Sequence, residues 1–249
     1  MSSIKSSIIN VGIPLYNNCT LMDFAGATQV FNSPVSGFKA VWMAESLAPV
    51  KTTENVSVVP DFTFSDPKCP ALDMIFVPGG DSDGVSEQMF NKSFQDFLIR
   101  HKDKNLWMGS ICTGAFICTA AGLFNGFTGD EVEGVSTYWS QLPNLALLQK
   151  KYNFKVSAFY PRFTYDSKTK RFSGGGISSS VDLALKLVEV LKGKEAAEKT
   201  QLFIQYAPNP PVQSGDPTEA PTQLLSEITN LQADFTVAMN AAVQKLLKQ

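Results

Sequence analysis

Leu106-Trp107-Met108-Gly109-Ser110-Ile111-Cys112-Thr113-Gly114-Ala115-Phe116-Ile117-Cys118-Thr119-Ala120-Ala121 joins an apolar run of strand length to an alanine-rich stretch suited to a buried helix. Cys112 stands at the junction, with Gly109 and Gly114 on either side. Strand, cysteine and helix are thus consecutive, as in the strained elbow that lifts a nucleophile out of a sheet. The same alternation extends in both directions. Upstream, Asp73 to Val77 is a buried strand stopped by Pro78-Gly79-Gly80, and Val85 to His101 carries apolar residues on one helical face. Earlier still, Ile8 to Tyr16, Met22 to Phe31 and Phe38 to Ala44 read as strand, helix and strand, with a short strand at Val56 to Val59.

Downstream, Ser140 to Tyr152 is predicted helical, and strands are expected at Phe154 to Ser157, Arg162 to Tyr165 and Arg171 to Ser173. Helices over Ser178 to Leu191 and Lys194 to Tyr206 follow, then a proline-rich strap from Pro208 to Pro221. Leu224, Ile228, Leu231, Phe235, Met239, Val243 and Leu246 form one apolar stripe, which predicts a single long helix that must pack on something. Buried strands alternating with amphipathic helices predict a doubly wound α/β fold, a mainly parallel sheet with helices on both faces in a flavodoxin-like three-layer sandwich. Residues 1–221 form the α/β domain, and 222–249 an amphipathic helix packed on that domain or on a dimer partner.

The 249 residues are 44% hydrophobic and 18% charged, enough apolar material for one sizeable core. A formal net charge of -2 without a Lys/Arg cluster argues against nucleic acid or an anionic membrane as partner and for a small-molecule substrate. Met1 to Ser7 lacks the apolar stretch of a secretory signal, so the expected location is cytoplasmic. Cys19, Cys69, Cys112 and Cys118 have neither CxxC nor zinc spacing, and the lone His101 completes no familiar ligand set. Free thiols and no metal are expected.

A helix starting after Cys112 aims amides and partial positive charge at the sulfur, which favours the thiolate near neutral pH. Cys19, Cys69 and Cys118 read as inert core cysteines. His101 ends a predicted helix at the far end of the sheet, so a carboxylate has to handle the proton. Asp23, in Leu21-Met22-Asp23-Phe24-Ala25-Gly26, is the candidate, flanked by apolar residues that would desolvate it and raise its pKa; an ordinary acid in a helix's first turn fits the same pattern. The backbone at Gly79 and Gly80, with the amide of Thr113, suits an oxyanion hole, though Pro-Gly-Gly also makes plain turns. Gly174-Gly175-Gly176 lets the chain approach the site or simply turns tightly into a helix, and without Gly-x-Gly-x-x-Gly spacing no dinucleotide site is expected.

Taken together, these motifs resemble the ThiJ/PfpI superfamily over residues 8–217, and within it the isonitrile (isocyanide) hydratases. The likeness rests on Asp23 before Gly26, Val77-Pro78-Gly79-Gly80, the Cys112 motif, Ala121-Gly122-Leu123, Ser173 to Ile177, and Tyr206-Ala207-Pro208-Asn209-Pro210-Pro211. Peptidase-like members carry His after the nucleophile; Thr113 here removes that dyad and is what the hydratases show. The hydratases' Thr-His-Trp is Thr137-Tyr138-Trp139 in this chain, after an insertion around Phe127 to Gly134 that bears on pocket shape. Tyr138 and Trp139 line the pocket on this reading, or belong to the core. The resemblance implies cofactor-free hydration of R-N≡C to a formamide in a homodimer. Cys112 attacks the terminal carbon, Asp23 supplies the proton and activates water, and the Gly80 and Thr113 amides steady the adduct. A glyoxalase-like enzyme acting on dicarbonyls and a non-catalytic cysteine redox sensor or binding module are the alternatives. The superfamily's DNA-binding regulators carry a further DNA-binding region, and the one long helix expected after Pro221 argues against a transcription factor.

Overall fold

The computed structural model describes residues 8–249, so the expectation for Met1 to Ser7 lies outside the described residues. In chain order come β1 (Ile9–Pro14), α1 (Leu21–Phe31), β2 (Phe38–Ala44), β3 (Val50–Lys51), β4 (Ser57–Val58), β5 (Phe62–Thr63) and β6 (Met74–Val77). They are followed by α2 (Ser82–Phe90), α3 (Lys92–Lys102), β7 (Trp107–Ser110), α4 (Gly114–Ala120), α5 (Leu142–Ala146) and α6 (Gln149–Tyr152). The chain ends with β8 (Phe163–Asp166), β9 (Arg171–Gly174), α7 (Ser179–Lys192), α8 (Lys194–Phe203), α9 (Thr222–Leu231) and α10 (Ala233–Leu247).

Seven strands form one sheet in the order β5-β2-β1-β6-β7-β9-β8, and only β8 runs antiparallel to its neighbour. All four residues of β6 are buried, as a strand covered on both faces requires. Phe76 meets Phe31 of α1 at 5.9 Å and Phe172 of β9 at 5.6 Å between ring centroids, joining the two halves of the core. The strand order reverses direction between β1 and β6, and ligands of such sheets bind beyond the carboxyl ends at that switch point. The start of α1 with Asp23 and the loops carrying Gly79, Cys112 and Ile177 all follow those ends.

Several local expectations are corrected. The helix expected over Val85 to His101 is two helices. Asn91 is extended at φ -67, ψ 113, and its Oδ1 accepts the Ser93 and Phe94 amides as the N-cap of α3. Ser140 to Tyr152 is a turn of 3-10 helix (Trp139–Gln141) followed by α5 and α6 rather than one helix. Phe154 to Ser157 makes only a single bridge, Val156 to Val135. The strand at Val56 to Val59 pairs with β3 in a separate hairpin outside the main sheet.

The insertion at Phe127 to Gly134 lies along β8. Burial alone would raise Asp166, but the amides of Thr128 and Thr169 and the Thr128 hydroxyl bring it down to about 2. Glu131 of the same insertion bonds Lys186 and the Tyr165 hydroxyl. The C-terminal stripe is broken at Gln232 into α9 and α10. Met239, Val243 and Leu246 of α10 are buried, and that helix packs on α2 and α5 of the same chain, whereas no residue of α9 is fully buried. No helix among the described residues is long and apolar enough to cross a membrane.

Candidate active site

Cys112 sits between β7 and α4 with φ 55, the left-handed region that a non-glycine residue occupies at a cost of about 1–3 kcal/mol. Its neighbours hold it there. The Cys112 amide donates to the carbonyls of Gly174 at 3.2 Å and Gly175 at 2.8 Å, and its carbonyl accepts from Thr137 Oγ1 at 2.8 Å. Backbone packs against the elbow from β6 as well. A Cβ at Gly79 would lie 2.7 Å from the Thr113 nitrogen and 2.8 Å from Cys112 Cβ, so only glycine fits.

Asp23, in the first turn of α1, is fully buried. Its Oδ2 accepts the Gly79 amide at 2.7 Å, while Oδ1 is buried without a hydrogen-bond partner. Burial is the main cause that lifts Asp23 to about 8; the Gly79 amide opposes it, the Glu54 carboxylate adds to it, and the neighbouring Cys112 thiol acts as a donor that lowers it. Both readings of Asp23 meet here: it is a first-turn acid and a desolvated one.

The sulfur's own state differs from expectation. Burial and then the Asp23 charge push the Cys112 thiol well above its ordinary pKa, and these outweigh the amides of Thr113 and Ile177 and the Thr113 hydroxyl, which favour the thiolate. The helix that follows is a short one, and its amides do not offset removal of the sulfur from water. At neutral pH the pair is therefore a thiol beside a carboxylic acid.

The loop amides are differently employed as well. The Gly79 amide orients Asp23, and the Gly80 amide donates to Thr113 Oγ1 at 2.9 Å while that hydroxyl donates back to the Gly80 carbonyl at 2.9 Å. The amides facing sulfur are those of Thr113 and Ile177. Ile177 escaped sequence reading because it acts through its backbone; the glycine run before it was the only signal. Glu54 escaped it too. Glu54 lies in the β3–β4 turn and accepts the Leu21 amide at 3.0 Å, capping α1 where Thr20 offers no side-chain cap. Tyr16, whose hydroxyl donates to the Pro78 carbonyl at 3.0 Å, and the buried Cys19, pushed up to about 12 by burial, complete the surroundings.

Beside the elbow lies a cavity of about 360 Å³ walled by Met22, Thr137, Tyr138, Trp139 and Ile177, with Gly215 to Pro217 of the proline-rich strap closing one side. None of residues 127–134 reaches it. Cys112 and Asp23 lie one layer beneath, under Thr137, Gly175 and Ile177, whose backbone or hydroxyl groups bond or face the cysteine. The Tyr138 hydroxyl is bonded to Gln232 Nε2 at 2.5 Å, and its ring packs on Gly176, where a Cβ would come within 3.0 Å. His101 is far from this place: at the end of α3, half-buried, its Nδ1 is 2.7 Å from the Phe97 carbonyl. Among the described residues no cluster of His, Cys, Asp and Glu could hold a metal ion.

Residues 10–144 match the DJ-1/PfpI family. The chain is 32% identical over 223 residues to an isonitrile hydratase of Pseudomonas putida, covering 88% of each protein. It is 24% identical over 162 residues to a glutathione-independent glyoxalase of Caenorhabditis elegans, covering 64% of this chain and 76% of that one. Among solved structures, a THiJ/PfpI family protein from Pseudomonas syringae superposes with a TM-score of 0.82 at 27% identity, covering 94% of this chain and 90% of the other.

Proposed function

The chain belongs to the DJ-1/PfpI family, and from that premise we propose that it hydrates an isocyanide to an N-substituted formamide, a hydro-lyase activity like that named for its Pseudomonas putida relative. One observation carries the reading: the Asp23 carboxyl, buried, held by Gly79 through Oδ2 and with Oδ1 unpartnered, lies beside the Cys112 thiol. A neutral acid is a proton donor, and a thiol next to it is a nucleophile that passes its proton on as it adds.

The steps balance without an external oxidant or reductant. Asp23 protonates the terminal carbon of R-N≡C as Cys112 sulfur bonds to it, and the thiol proton restores Asp23, leaving the thioimidate R-N=CH-S. Water then adds to that carbon as the Asp23 carboxyl gives its proton to the nitrogen and takes one from the water, which regenerates the acid. The adduct R-NH-CH(OH)-S then expels sulfur, which recovers its proton and releases R-NH-CHO. The Thr113 and Ile177 amides face the sulfur and stabilise negative charge on it as it leaves. An isocyanide ends in a linear N≡C with no substituent on carbon, a shape suited to a thiol lying beneath the cavity wall. A dicarbonyl is bulkier, and the site offers no imidazole for enediol chemistry, since His101 is elsewhere.

The test is formamide production from several isocyanides by the wild type, Cys112→Ala and Asp23→Asn. Turnover in the wild type and a loss of about a thousandfold or more in each variant supports the reading; full activity in Cys112→Ala overturns it.

A further inference from the structure

Behind Trp139 lies a second cavity of about 200 Å³, and its wall shares Trp139, Gly215 and Pro217 with the first. The two differ in character. The first mixes hydroxyls, backbone and Arg162 with its aromatics, whereas the second is lined chiefly by Ala220, Leu224, Leu225 and Ile228. Three of these come from α9, a helix with no fully buried residue, so the apolar face turned to the cavity is not filled by the domain's own core. The partition is an indole and two strap residues. We propose that this second cavity is a subsite for the distal end of the substrate, which makes the preferred substrate an isocyanide with an extended apolar R group threaded past Trp139.

This rests on the hydration reading for the head group, while the subsite follows from the wall of Trp139, Gly215 and Pro217 that the two adjacent cavities share. An apolar chain that reaches across the partition gains burial for each methylene it adds. The first cavity has a mixed wall and the second a chiefly apolar one, so discrimination by chain length is assigned to the α9 side.

The experiment uses the Cys112→Ala protein and the N-alkylformamides from methyl to decyl, with affinity measured by calorimetry, and Leu225→Trp or Ile228→Trp added to fill the second cavity. Affinity is expected to rise by about fourfold per methylene into the long-chain members, and to level off at a shorter chain in both filled variants. Indole emission that changes with the long ligands, and no longer does so in Trp139→Phe, locates the chain at the partition. Levelling off at the same length with and without the added tryptophans overturns the proposal. So does a filled variant that changes only the oligomeric mass, which would assign the α9 face to contact with a second copy. Because binding needs no turnover, a wild type inert towards isocyanides defeats the hydration reading alone, whereas an unchanged length series defeats the subsite alone.

Discussion

Gly79 donates its amide to Asp23 Oδ2 at 2.7 Å, and from the other side its bare Cα lets the Thr113 backbone and Cys112 Cβ approach. One residue thus fixes Asp23 and makes room for Cys112. Gly79→Ala would place a methyl group 2.7 Å from the Thr113 nitrogen. Denaturant unfolding should show a loss of about 1–3 kcal/mol, with activity lost beyond what that accounts for. Gly215→Ala, where nothing lies within 4 Å of the added carbon, should leave stability unchanged within about 0.5 kcal/mol.

Asp23 makes stability depend on pH in a particular direction. Its folded pKa is raised from 3.8 to about 8, chiefly by burial, so between these values the folded chain holds a proton that the unfolded chain has released. The stabilising contribution is full below about pH 4, is lost as pH rises to about 8, and is constant above. The slope in that window approaches about 1.4 kcal/mol per pH unit for this one group. Asp23→Asn keeps an acceptor for Gly79 and removes the titration, so its melting temperature should exceed that of the wild type at pH 8, with the gap closing towards pH 4.

Glu54 adds its charge to that balance from the β3–β4 turn. Glu54→Gln retains an oxygen for the Leu21 amide but no longer repels a carboxylate at Asp23. The Asp23 midpoint, read by infrared titration of the carboxyl band, should fall in the variant. The difference should narrow at 1 M salt, because Glu54 is exposed and its field is screened. A midpoint unchanged at low salt would show that the Glu54 charge takes no part in setting it.

The Cys112 thiol should alkylate slowly at neutral pH and accelerate only above the ordinary thiol range, because burial and the Asp23 charge both oppose the thiolate. In Asp23→Asn the second of these is gone, and the rate profile should move to lower pH. Mass spectrometry of the Cys112 peptide separates it from the more accessible Cys69, which is half-buried.

Much of this arrangement could be read from the chain because it depends on backbone geometry that particular residues announce. The apolar runs ending at Val77 and Ile111, with Gly79 and Gly114 close behind them, put Gly79 and Cys112 at adjacent strand ends, and β6 and β7 are neighbours. What was misread concerned quantities that sequence spacing does not carry. The helix after Cys112 favours a thiolate only when depth of burial is left out, and depth decides. The Gly80 amide was assigned to the site by loop composition, yet Thr113 Oγ1, one residue after the cysteine, takes it. Asn91 and Gln232 each lie within an apolar helical pattern, and the break at each shows only in the fold. Glu54 and Ile177 act across the chain, one through a cap on a distant helix and the other through its amide.

The bond from Gln232 to the Tyr138 hydroxyl ties the cavity wall to a segment whose helix α9 is nowhere fully buried. Chemistry and selectivity therefore belong to parts of the chain under unequal constraint. The elbow is enclosed by close backbone contacts, whereas α9 has no fully buried residue. On the function proposed above, substrate preference would change by alteration of α9 alone, with Cys112 and Asp23 left as they are.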